Sequence, residues 1–323
     1  MNTLIPAVIR RPHLPRDSSP HNLFYRRLTG WSWFCAFLVV AFVKPMIALA
    51  RFGLESDLYS YVVVVPPITI YLLWLRKSDL LARRIESAFA LAAIPALVGA
   101  GLLVAYGVMA GRGWQPAESD YLALTISSWV SFVIAGFLFF FGRDMLRAAA
   151  FPIGFLLFMI PLPALLTNWF EEFLQRSSAD AAAALLGLCG ETVFRNGLVF
   201  QLPGIVIEVA KECSGIHSTF VLLITSLVAG HLFLRSTWKK SVLALAVIPL
   251  GILRNGFRIF TLATLCVHVN PNIIDSPLHH RGGPIFFALS LVPLFALLYV
   301  LRKSEGRKRN PSPVAIGPAG KSA

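Results

Sequence analysis

Apolar runs of about twenty residues recur through this chain, and each is long enough to cross the roughly 30 Å hydrocarbon core of a bilayer. Eight are read, at about 32–50, 60–75, 88–109, 121–141, 148–165, 213–234, 241–268 and 284–301. Inside lipid the backbone polar groups find no water, so such runs must satisfy themselves as helices. The spacing therefore predicts an all-α polytopic membrane protein with about eight transmembrane helices. Composition agrees: 56% of the 323 residues are hydrophobic, 14% are charged and the mean hydropathy is +0.70. A soluble domain carries about 25% charge. The first 30 residues hold no apolar core followed by a small-residue cleavage site, so no removable signal peptide is read.

The net charge of +13 would suit a nucleic-acid binder, but its placement argues against one. Taking the N-terminus as cytoplasmic, 20 of the 29 Lys and Arg residues fall in inner segments, six in outer segments and three within spans (Lys44, Arg254, Arg258). Basic residues gather on the cytoplasmic side of membrane proteins. Both termini are thus expected in the cytoplasm, with the chain in the inner membrane. Residues 1–30 then form a basic cytoplasmic segment, 31–302 a multi-span membrane domain, and 303–323 a disordered basic tail. The longest outer loop is 166–212. It opens with a stretch of helical apolar spacing that predicts a helix lying on, or re-entering, the outer surface. Asn196-Gly197 and Pro203-Gly204 then mark tight turns, predicting a small β-hairpin element within 192–210.

Three groups of residues are costly where they stand. "KECSGIHSTF" puts Cys213 at the outer mouth of the sixth span, between Glu212 and His217. Unpaired N–H groups and the helix dipole favour negative charge there and raise the thiolate fraction. Cys213 is a nucleophile on this reading; the alternatives are a small packing residue beside Gly215, or a disulfide to Cys189. Cys35 and Cys266 sit in apolar runs as core residues. Next, Arg254, Asn255 and Arg258 in "RNGFR" share one helical face. Each arginine costs about 2.5–3.5 kcal/mol at a span centre, so the face must meet water or a partner. Last, "HHRGGPIFF" places His279 and His280 just before the eighth span, with Gly283 allowing close backbone approach. A thiol, a guanidinium and an imidazole on one side of the membrane have the logic of acyl transfer. An intramembrane anion site in a transporter, or in a protein handling lipid-linked saccharides, is the rival reading. No metal-ligand spacing and no organic cofactor motif is present.

"ECSGIHS", "NGFRI" and "HHRGGPIFF" resemble, in order, the three motifs of the exosortase/archaeosortase family of membrane transpeptidases. "SDLYSYVVVVPPITIYLLWLRK" and "FMIPLPALLTN" are also similar to family segments, so the resemblance spans about residues 50–300. It implies Cys213 as nucleophile, Arg258 as cationic partner and His279, rather than His280, as acid/base. The substrates it implies are exported proteins ending in a short Pro-Glu-Pro-type motif, a transmembrane helix and a basic tail. These would be cut at the outer leaflet and passed to an acceptor, in a setting linked to exopolysaccharide assembly. Two positions depart from the family pattern: His217 stands where Arg is usual and, on a helix starting near Cys213, lies one turn below it on the same face, making it a rival base; and Tyr61 stands where many members have histidine.

Overall fold

The computed structural model describes residues 20–83, 86–270 and 282–307. Among the described residues, five helices are long and apolar enough to cross a membrane, and up to seven if two bent helix pairs each count as one span. This is a multi-pass helical membrane protein carrying one small sheet, roughly as the apolar runs predict.

The described residues up to Ser56, together with Ser60–Leu162, form one compact unit. It holds α1 (Pro20–Ala41), α2 (Val43–Glu55), α3 (Val65–Leu75), α4 (Lys77–Leu81), α5 (Phe89–Gly111), α6 (Glu118–Phe141), α7 (Arg143–Ala148) and α8 (Ala150–Phe155). The first expected span is broken: α1 and α2 meet at 76°. Pro45 explains the break, because its ring collides with the carbonyl four residues earlier, at Ala41, where α1 stops. α6 is the central helix, with 67% of its most apolar window buried, whereas α5 buries only 11% and turns its surface to lipid. The two are joined by Ser128 Oγ, which donates to the Gly99 carbonyl at 2.8 Å. Trp31 of α1 packs edge-on against Phe137 and Phe141 of α6.

The second unit comprises residues 57–59 and the chain from Pro163 onward. It contains α9 (Ala164–Leu188), β1 (Phe194–Asn196), β2 (Val199–Leu202), β3 (Ile205–Glu208), α10 (Ile216–Phe233), α11 (Thr237–Leu245), α12 (Val247–His268) and α13 (Gly283–Arg307). The expected hairpin is in fact a three-stranded antiparallel sheet in the order β1-β2-β3. Asn196 pairs with Val199 and Leu202 with Ile205, so Gly197-Leu198 and Pro203-Gly204 make the two turns. The sheet buries Phe200 and Leu202 against Ala182 and Leu186 of α9 and Ile259 and Ala263 of α12. Arg195 ties β1 back to Asp180 of α9 at 2.7 Å.

α11 and α12 run on as one apolar stretch of 32 residues, Thr237–His268. α9 does not simply lie on a surface. Its face of Gln175, Ser178, Ala179, Ala182 and Leu186 is buried, and a seam of small residues brings it against α12. A Cβ on Gly256 would lie 2.6 Å from Ala181 Cβ and 3.2 Å from the Ala182 backbone nitrogen. Gly256→Ala is therefore expected to destabilise the protein by about 1–3 kcal/mol, seen as a lower Tm of the purified protein in detergent.

Helical structure also reaches further than expected at both ends. Residues 20–30 are already helical, and α13 continues to Arg307, so 303–307 are not the disordered tail the composition predicts. A polar clamp explains the second extension. Lys239 Nζ donates to the Leu301 carbonyl at 3.0 Å and to Ser304 Oγ at 2.6 Å. The Glu305 carboxylate accepts from the backbone N–H groups of Arg235 and Ser236, satisfying donors at the start of α11. Residues 1–19 and 308–323 lie outside the described residues.

Candidate functional site

β3 leads into a 3₁₀ turn, Lys211–Ser214, whose backbone carries Glu212 and Cys213; the side chains of these two lie outside the described residues. Gly215 follows with φ +73° and ψ 14°, a left-handed conformation, and only then does α10 start at Ile216. The sequence reading needs a correction here. Cys213 does not begin the helix, so His217 is not one helical turn below it on a common face. The left-handed glycine resets the chain direction between them. What survives is that α10 opens its N-terminus directly after the Cys213 turn, where Ser214 Oγ accepts from the Ile216 N–H at 3.5 Å.

The turn is braced from two helices. From α12, Arg254 Nη2 donates to the Gly215 carbonyl at 3.2 Å. A Cβ on Gly215 would stand 2.7 Å from that nitrogen and 3.0 Å from Asn255 Cγ. Gly215 is thus required twice, by its backbone angle and by this close approach. From α9, buried Gln175 donates through Nε2 to the Val209 carbonyl, fixing the chain where β3 runs into the turn. Sequence reasoning missed Gln175, because one glutamine on an amphipathic helix carries no signal of its partner.

Residues 57–59 add a third support. Tyr59, 4% exposed, bonds through its hydroxyl to Thr167 Oγ1 of α9 at 2.9 Å. The Leu58 carbonyl lies 3.4 Å from His217 Nδ1. A carbonyl only accepts, so Nδ1 carries the proton in this contact and the neutral ring leaves Nε2 as its acceptor.

Arg254 is 9% exposed and Asn255 1%. Among the described residues no carboxylate forms an ion pair with Arg254; the one hydrogen bond it makes to them is to Gly215. Arg258 is half-buried one turn further along α12. Its neighbour Phe257 packs against Phe286 of α13, with ring centroids 6.3 Å apart. At Gly283, the first residue of α13, no described residue lies within 4 Å of where a Cβ would go. The described parts of the three sequence motifs therefore meet along α12. His279 and His280 lie outside the described residues.

The depth of this constellation follows from helix geometry. From Thr237 to Arg254 the helix rises about 25 Å at 1.5 Å per residue. Thr237 follows Arg235 and precedes Lys239 and Lys240 at a basic helix end. Arg254 and the Gly215 turn thus stand near the opposite boundary of a hydrocarbon core about 30 Å thick. A buried guanidinium is far less costly there than at the midplane.

Cys35 and Cys189 carry free thiols. Among the described residues, no group of three His, Cys, Asp or Glu side chains is placed to hold a metal ion. Residues 50–296 match the family model of the transmembrane exosortase (Exosortase_EpsH). No curated protein and no solved structure matches the chain.

Proposed function

From a chain that belongs to the transmembrane exosortase family, and is therefore a membrane-embedded sorting transpeptidase in general terms, we propose a cysteine mechanism acting on the C-terminal signals of exported proteins. Cys213, as thiolate, adds to the scissile carbonyl. Arg258 stabilises the oxyanion. The C–N bond breaks, and the leaving amine takes a proton from His279. The resulting thioester is resolved by an acceptor nucleophile or by water, with His279 removing the incoming proton. Substrates carry a Pro-Glu-Pro-type motif, a transmembrane helix and a basic tail. Both termini of the enzyme lie in the cytoplasm and its site faces the outer side of the inner membrane, in a setting of exopolysaccharide and cell-surface assembly.

The observation that best supports this reading is the bracing of the Cys213 turn. Arg254, Asn255 and Gln175 converge on the seven residues from Val209 to Gly215, and on a lipid-facing protein such an investment in one short turn fits a reacting group better than packing. The depth also fits: a substrate anchored by a basic cytoplasmic tail presents the far end of its transmembrane helix at this level.

The test is co-expression with a substrate bearing a Pro-Glu-Pro-type tail and a C-terminal tag, read as tag loss on a blot. Wild type releases the tag, and Cys213→Ala and Arg258→Ala do not. His279→Ala and His217→Ala decide between the two imidazoles: the base is the one whose loss stops release. Continued release by Cys213→Ala overturns the cysteine mechanism and favours an anion-binding role for the arginine face, in transport or lipid-linked saccharide handling.

A further inference from the structure

A second charged site lies in the first unit, at the end of its helices. A cleft of about 410 Å³ is lined by Arg26, Arg27, Ser87, Phe139 and Phe140. Arg26 and Arg27 stand in the second turn of α1, Ser87 two residues before α5, and Phe139 and Phe140 in the last turn of α6. Three apolar helices thus share one end here, which sets the cleft at the boundary between water and lipid.

Its two arginines are held differently. Arg27 Nη1 donates to Ser87 Oγ at 2.5 Å and to the Phe140 carbonyl at 2.8 Å. That fixes the guanidinium while its other N–H groups bond to none of the described residues. Arg26 is exposed and makes no hydrogen bond or ion pair with a described residue. No described carboxylate lies within ion-pair distance of either. Two positive charges therefore meet in a cleft with no counter-charge from the described residues, one of them already locked in place. The lipid-facing wall is aromatic: Phe139 is 46% exposed and meets Phe89, 74% exposed, edge-on at 6.4 Å.

A charged roof above an aromatic wall is the shape of an amphiphile site. We propose that this cleft binds an anionic phospholipid, with its phosphate on Arg26 and Arg27 and an acyl chain along Phe139 and Phe89. Guanidinium forks match phosphate oxygens, and basic pockets between helices at the cytoplasmic boundary hold acidic head groups. The volume suits a small polar group. A zwitterionic lipid offers the same phosphate, but its ammonium is repelled by the two arginines, so the preference is for a head group of net negative charge. The site is independent of Cys213 and of any reaction there.

The experiment is native mass spectrometry of the full-length protein, exchanging phosphatidylcholine for phosphatidylglycerol, with inorganic phosphate as a separate arm. Wild type is expected to retain phosphatidylglycerol over phosphatidylcholine. Arg26→Gln is expected to weaken that preference about fivefold, as expected for one arginine at an anionic surface. Arg26 is chosen because its side chain supports no described contact, so its loss leaves the fold intact. Arg302→Gln, on a different helix, should leave the preference unchanged. Equal retention of the two lipids by wild type, or an unchanged preference in Arg26→Gln, overturns the site. Displacement of the bound lipid by millimolar phosphate overturns the lipid assignment and makes the cleft a general anion site.

Discussion

Replacing Cys213 by alanine is expected, on the proposed cysteine mechanism, to reduce cleavage of a sorting signal by at least about 10⁴-fold, to background on a blot, because the variant lacks the proposed nucleophile and keeps only binding and oxyanion stabilisation. The fold should be spared. The turn that carries Cys213 is held by main-chain contacts, Gln175 to Val209 and Arg254 to Gly215, and none of these needs the thiol. The Tm of Cys213→Ala in detergent should therefore match wild type while activity is absent. Iodoacetamide labelling gives a second readout: wild type should alkylate at Cys213 at a pH below that of an ordinary thiol near 8.5. A variant that loses both activity and Tm would mark Cys213 as a packing residue.

The next largest effect is expected at Gly215. Gly215→Ala imposes a left-handed conformation on a residue with a Cβ, costing about 1–2 kcal/mol. The new methyl would also occupy a point 2.7 Å from Arg254 Nη2 and 3.0 Å from Asn255 Cγ. The arginine tip can swing away, but then its bond to the Gly215 carbonyl is lost, and that is the one bond it makes to the described residues. Asn255 has less freedom, being 1% exposed. Together these should lower turnover about 30-fold or more, since each 1.4 kcal/mol is a factor of ten, with substrate capture less affected. If kcat is unchanged in Gly215→Ala, the turn tolerates reshaping and its bracing has no bearing on rate. Gly215→Asn separates the two causes, because Asn tolerates the backbone angle but not the crowding.

Much of this was legible in the sequence, and for physical reasons. A twenty-residue apolar run has only one way to satisfy its backbone in lipid, so α5, α6 and α10 could be read to within about three residues of their ends. "RNGFR" inside such a run was conspicuous because charge there is costly, and its face proved to meet the Cys213 turn. What escaped detection involves pairs far apart in the chain or single backbone angles. The contact of Gln175 with Val209, and of Leu58 with His217, leaves no periodic trace. A glycine after serine at a helix mouth reads as an ordinary start, so the left-handed kink at Gly215, and with it the loss of register between Cys213 and His217, could not be anticipated. The break at Ala41 was legible after all: Pro45 announces it four residues ahead.

The apolar stretch from Thr237 to His268, which runs through α11 and α12 with only Ala246 between them, has one more consequence. It joins the basic end of the second unit to the guanidinium beside the Gly215 turn, so the height of the site above the charged surface is set by about 25 Å of helical rise. For the proposed reaction that length is a gauge. A client protein stopped by its own basic tail would present a bond to Cys213 only if its hydrophobic segment matches the gauge. Adding one helical turn to that segment would lift the bond by about 5.4 Å, past the reach of a side chain fixed to a braced turn.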